Sequence, residues 1–343
     1  MSDGHLKLSV FSGERDMLDG RPVCETVTDA MQAAGLPAAI LVRGVSGFGA
    51  KHHLHTDRVL TLSEDLPMVN IGVGLAATVD ALAHELADRI PGGLIALERV
   101  RTADRPPPHA GGSLKLTVYL AHGGLAVTQV LRDAGLDGAI VLAGLDGVLH
   151  GRRARARLMA PARGVPSMVI AMGGVGEILD ACARLPADVG VVTLEDVHVL
   201  KRDGVTRAEP PARPHGDDRG LGVWQRFVVL AGDRDRHHGA PLHDALIRRL
   251  RMTGADGATC LRGVWGFSHH GAPHGDRLFA LQRATPTLTA VLTRPDDVGT
   301  VWDAVDAVTQ HAGLVSVELV PALRHTTGDG HRGGLRLAHV PPA

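Results

Sequence analysis

The chain has 343 residues, with 36 Lys and Arg against 37 Asp and Glu, so its net charge of -1 gives no bulk attraction to nucleic acid or to an anionic membrane surface. Hydrophobic residues at 44% and charged residues at 21% exclude global disorder, and aromatic residues at 3% make the core aliphatic. The cysteines, Cys24, Cys182 and Cys260, show no Cys-x-x-Cys spacing, which indicates neither a disulfide framework nor a thiolate zinc site and points to a reducing, cytoplasmic setting. A polar amino terminus, and no run approaching the roughly 18 apolar residues of a membrane span, predict a protein that is neither exported nor membrane-embedded.

In chain order, Leu6, Leu8 and Val10 alternate with Lys7 and Ser9, the period of a half-buried strand. Pro22 suits a first helical turn, and Val23, Val27, Ala30, Met31 and Ala34 form a stripe at helical spacing that ends at Gly35. A second strand over 39–42 precedes a glycine-rich loop over 44–55. The segments 59–62 and 68–73 read as a third, interrupted strand. Val79, Leu82, Leu86 and Ile90 mark a second helix, and 94–97 a closing strand.

This order recurs. Gly13-Glu14-Arg15-Asp16 returns as Gly232-Asp233-Arg234-Asp235, 219 positions later. The same shift carries Gly20 and Pro22 onto Gly239 and Pro241. It also carries Arg43-Gly44-Val45-Ser46-Gly47-Phe48 onto Arg262-Gly263-Val264-Trp265-Gly266-Phe267. A degraded copy lies between: Leu114-Lys115-Leu116-Thr117-Val118 answers Leu6-Lys7-Leu8-Ser9-Val10, Gly144 and Gly147 answer Gly44 and Gly47, and Leu194-Glu195 answers Leu97-Glu98. The expected units are 1–104, 113–203 and 222–326, joined by Pro-rich linkers over 105–112 and 204–221 and followed by a flexible tail over 327–343. The βαββαβ order predicts an α+β fold of three tandem ferredoxin-like domains whose sheets pack together as a single-chain, monomeric pseudo-trimer.

The string Val45-Ser46-Gly47-Phe48-Gly49-Ala50-Lys51-His52-His53-Leu54-His55-Thr56 resembles the base of the T-loop in PII signalling proteins. Together with the Gly-Glu-Arg-Asp segment and Asp65-Leu66-Pro67, it resembles the PII-like family called domain of unknown function 190, over all of copies one and three and more weakly over copy two. The resemblance implies a cytoplasmic regulatory protein, not an enzyme, that binds a small anion such as an adenine nucleotide in clefts between domains. It also implies a regulatory protein partner, with a membrane transporter or fluoride channel as the candidate. No cofactor is named by it.

By the same resemblance, the contacts would come from Arg43, Gly44, Gly47, Phe48, Gly49, Lys51 and Arg58, and in the third copy from Arg262, Gly263, Gly266, Phe267, His270 and Arg277. Glycines let backbone N–H groups approach an anion, and the basic side chains supply charge. Two departures stand out: Asp88-Arg89-Ile90-Pro91-Gly92-Gly93 occupies the place of the PII phosphate loop, and the middle copy has Gly147-Val148-Leu149 for Gly-Phe-Gly. The alternatives are a CutA-like divalent metal site on His52, His53, His55, His269, His270 and His274, and a ligand-free adaptor. The run Arg152-Arg153-Ala154-Arg155-Ala156-Arg157 reads as a solvated loop rather than an RNA contact.

Overall fold

The computed structural model describes residues 4–49, 55–56, 65–103, 112–121, 124–156, 164–210, 223–232, 234–253, 255–268, 274–275, 285–328 and 330–338. The first repeat contains β1 (His5–Gly13), α1 (Val23–Ala33), β2 (Ala38–Phe48), β3 (Pro67–Leu75), α2 (Ala76–Arg89) and β4 (Gly93–Thr102). The second contains β5 (Ser113–Leu120), α3 (Gly124–Asp133), β6 (Gly138–Ala143), β7 (Asp146–Leu149), β8 (Arg152–Arg155), β9 (Ser167–Gly174), α4 (Val175–Arg184) and β10 (Val191–Arg202). The third contains β11 (Trp224–Ala231), α5 (Leu242–Arg251), β12 (Gly257–Arg262), β13 (Trp265–Ser268), β14 (Thr287–Thr293), α6 (Val298–Val308) and β15 (Leu314–Val320). Two strands follow it, β16 (Ala322–Thr327) and β17 (Gly330–Gly334). Pro22 precedes α1, where its missing N–H is harmless, and Gly35 follows it at a φ of 70°, a left-handed position that favours glycine.

The expectation of three ferredoxin-like domains assembled as a pseudo-trimer is corrected by the sheet. The repeats do not keep separate four-stranded sheets; their strands form one continuous antiparallel sheet of 20 strands, and the described residues contain six α-helices. The hydrogen-bonded path β1–β3–β2–β12–β14–β11–β15–β10–β4 returns to β1, so the sheet closes as a nine-strand barrel. The middle repeat contributes β10 to the barrel, between β15 and β4, and meets the other repeats again through β7 on β2 and β6 on β13. The physical reason is edge pairing: a free strand edge exposes unpaired backbone groups, and here each repeat supplies the partner for its neighbour. Each repeat therefore finishes its sheet with strands of another.

Closure buries both faces of β1. Leu6, Leu8 and Val10 pack against Val23, Val27 and Met31 of α1 and Val79, Leu82 and Leu86 of α2. Lys7 and Ser9, read as the solvent face of a half-buried strand, are buried on the opposite face. A separate core contains strand and loop residues but none from a helix, drawing Ile40, Val69, Tyr119, Met168, Val228 and Leu288 from all three repeats.

Two smaller expectations also change. The arginine run is not a solvated loop over its described part: 152–155 form β8 on β7, Arg153 bonds Asp146 and Asp29, and Arg155 bonds Glu25 of α1. The tail after 327 is not a loose extension over 330–338, because β17 pairs with β16, β16 pairs with β4 of the first repeat, and Leu335 joins the first repeat's core. The segment 59–62 lies outside the described residues.

Candidate functional site

The repeated glycines stand where one repeat's strand crosses another's. Gly44 and Gly47 on β2 face Leu261 and Thr259 on β12, and a Cβ at Gly47 would lie 2.5 Å from the Ala258 carbonyl oxygen. At Gly266, a Cβ would lie 2.5 Å from the Ala139 oxygen, and at Gly147 2.5 Å from the Ala39 oxygen. Gly44, Gly144 and Gly263 are as confined, with Cβ positions 2.5 Å from Pro67, 2.4 Å from the Pro166 oxygen and 2.6 Å from Ile140 respectively. Only glycine admits these approaches between strands.

The aromatic residue that follows locks the same seams. Phe48 is 3% exposed and sits in the third repeat's core with Phe227, Leu246 and Val291. Phe267 occupies the middle repeat's core with Leu116, Val169 and Ile178, and Val148 occupies the first repeat's core. Each repeat thus plugs a hydrophobic side chain into another immediately before its loop departs.

Of the remaining expected contacts, Gly49 is exposed, with open space where a Cβ would stand. Arg43 is partly exposed, and its Nη2 lies 2.6 Å from Glu14 Oε2. Arg43 and Arg262 each lie one residue beyond the paired Gly44 and Leu261, so the two arginines close the same end of the first–third seam. The Gly-x-x-Asp segments are turn locks: Gly13 N–H donates to Asp16 Oδ2 at 2.6 Å and Gly232 N–H to Asp235 Oδ2 at 2.7 Å. Lys51, Arg58, His270, Arg277, His52, His53 and His269 lie outside the described residues. The backbones of His55 and His274 pair opposite Gly47 and Gly266 in two-residue strands.

Sequence reasoning missed a second constellation, inside the barrel. Lys7, Lys115 and Arg226 occupy the same place on β1, β5 and β11, and Glu98, Glu195 and Glu318 the same place on β4, β10 and β15. Each cation stands opposite its own repeat's glutamate in the strand register. Lys7 Nζ lies 2.7 Å from Glu98 Oε2 and also bonds Glu195. Lys115 Nζ lies 3.0 Å from Glu195 and 2.5 Å from Glu318. Arg226 grips both oxygens of Glu98 and lies 3.6 Å from Glu318. Three cations and three carboxylates therefore alternate in a closed ring, with every side chain 8% exposed or less.

Burial pushes the Glu98 carboxyl up, but Arg226, Lys7 and Lys115 outweigh it and hold it at about 2. Burial pulls Lys7 down, yet Glu195 and Glu98 more than reverse this and keep it protonated. Glu318 is held low in the same way, against its burial, by Lys115, Lys7 and Arg226. Among the described residues, Glu98, Glu195 and Glu318 are the group of ionisable side chains close enough to share a metal ion, but the three cations already neutralise them. The clue in the sequence was Lys7 and Lys115 at matching repeat positions, with Glu98 and Glu195 at another pair.

Two spaces adjoin these features. Beside the ring, between strands of all three repeats, lies a cavity of about 60 Å³. At the junction of the first and middle repeats lies a pocket of about 450 Å³, with His5 its only basic lining residue among the described residues. The cysteines are free, and no helix among the described residues is long and apolar enough to cross a membrane.

A family model described as DUF190, "Uncharacterized ACR", matches residues 5–102 and 224–322. These are the first and third repeats. Among solved structures, the crystal structure of aspartate kinase from Synechocystis is similar at 12% identity, over 94% of this chain and 44% of that chain, with a TM-score of 0.26. The chain thus spans less than half the length of that protein.

Proposed function

Because the chain belongs to the DUF190 family, through its first and third repeats, we propose that it is a PII-like regulatory protein rather than an enzyme. It binds a small anion at the first–third seam and presents the loops that leave there to a partner protein. The observation that carries this reading is the seam itself. The strand that launches the first loop, β2, is hydrogen-bonded to β12 of another repeat and anchored there by Phe48. A ligand that draws the two repeats together acts directly on the loop base, the kind of coupling by which a bound effector shifts conformational populations.

Arg43 and Arg262 supply the charge at this point, and guanidinium groups suit phosphate or carboxylate oxygens. The partner suggested by the family resemblance is a membrane transport protein. Thermal shift of the metal-stripped full chain with ATP, ADP, AMP and inorganic phosphate tests the reading, because a ligand that binds only the native state raises apparent stability. A shift with one nucleotide that disappears in Arg43→Ala and Arg262→Ala supports it. A shift confined to divalent metals, or none with any anion, removes it.

A further inference from the structure

We propose that the cavity beside the charged ring is a second binding site, separate from the seam arginines, and that it takes a small monocarboxylate. Four of the six ring residues reach its wall: Lys7, Lys115, Arg226 and Glu318. Glu98 and Glu195 do not line it, so a ring that is neutral as a whole shows the cavity three cations and one carboxylate.

The unspent hydrogen-bonding capacity points the same way. An ammonium has three donors. Lys7 uses two on Glu98 and Glu195, and Lys115 two on Glu195 and Glu318, leaving one each. Arg226 Nε and the Tyr119 hydroxyl, both buried, have no partner among the described residues. Tyr119 also lines the cavity, close enough to Lys7 and Arg226 to feel their charge. The ammonium hydrogens and Arg226 Nε can only donate, Glu318 Oε1 can only accept, and the hydroxyls of Tyr119, Ser9, Thr117 and Thr259 on the wall can turn to suit a ligand. A carboxylate, with about four acceptor sites and no donor, complements that set.

Size and walls define the rest of the molecule. A space of about 60 Å³, a few times the roughly 10–15 Å³ needed to admit one water, limits the ligand to a handful of non-hydrogen atoms. Ile71, Ile170 and Ala290, which are partly buried, make part of the wall apolar. Acetate, glycolate and propionate fit these limits. A hydroxyl next to the carboxylate would donate to Glu318 Oε1, so glycolate should bind more tightly than acetate.

Calorimetric titration of the full chain with acetate, glycolate, propionate, acetamide and hexanoate tests the site. The expected result is saturable binding of the three small acids, with glycolate about fivefold tighter than acetate, and none of neutral acetamide or of hexanoate. Tyr119→Phe should weaken glycolate about tenfold, Ala290→Leu should abolish its binding by filling the space, and Arg43→Ala should leave it unchanged. Binding of acetamide as tight as acetate, or glycolate binding undiminished in Ala290→Leu, overturns the proposal. So does a failure of all three acids to bind. Should either barrel variant fail to fold, the ligand series on the native chain still decides, and the Arg43→Ala arm separates this site from the seam.

Discussion

Lys7 on β1 and Glu195 on β10 are 188 positions apart in the chain yet form a buried ion pair that joins the first repeat to the second. Lys115 with Glu318, and Arg226 with Glu98, make the corresponding joins between the second and third repeats and between the third and first. The ring therefore penalises any assembly that leaves one repeat out of place, because a cation of one remaining repeat and a carboxylate of the other would each lose a partner in a low-dielectric interior.

Removing one member should be costly. Lys7→Met leaves Glu98 and Glu195 short of a cation, and the expected loss is about 3–5 kcal/mol of unfolding free energy, measured by urea denaturation. A loss below about 1 kcal/mol would mean that the interior is wetter than its burial indicates.

Acid should weaken the ring in a defined window. Glu98 is held near 2 in the folded chain, below the roughly 4.3 of an unfolded glutamate, so its contribution is fully present above about pH 4.3 and is lost as pH falls toward 2. The size is on the order of 3 kcal/mol, and Glu318 acts in the same direction. Urea midpoints measured from pH 7 to pH 2.5 should fall mainly below pH 4.5, whereas a flat profile would be inconsistent with the ring.

The signature glycines should behave as packing positions. Gly47→Ala and Gly266→Ala place a methyl against a neighbouring carbonyl at 2.5 Å and should cost about 1–3 kcal/mol each. Gly49→Ala, which meets open space, should stay within about 0.5 kcal/mol. Thermal melts of the three variants distinguish these outcomes, and equal effects at all three would argue against a packing role.

Phe48→Ala should destabilise by about 3–5 kcal/mol and act across the seam. Amide exchange in β12 of the third repeat should accelerate although the substitution lies in the first. Acceleration restricted to β2 would show that the two repeats are not coupled there.

Local patterns were legible and global closure was not. The 219-position repeat located the two regions that the family model matches, and Pro22 and Gly35 bracket α1 as their backbone preferences require. The alternation of Leu6, Leu8 and Val10 with Lys7 and Ser9 fits a half-buried strand equally well, because period two cannot tell a solvent face from a barrel interior lined with paired charges. The third copy concealed the pattern further by carrying Arg226 where the others have lysine. Gly44, Gly47 and Phe48 were visible as a motif. Their neighbours are Ala258, Thr259 and Phe227, and nothing local in the sequence announces contacts at such a distance.

The most direct measurement is hydrogen exchange of the backbone at 44–48 and 258–262, with and without saturating ATP, in the native chain and in Arg43→Ala. A regulatory seam predicts that ATP slows exchange on both strands together and that Arg43→Ala abolishes the effect. Exchange unchanged by saturating ATP on both strands would contradict it.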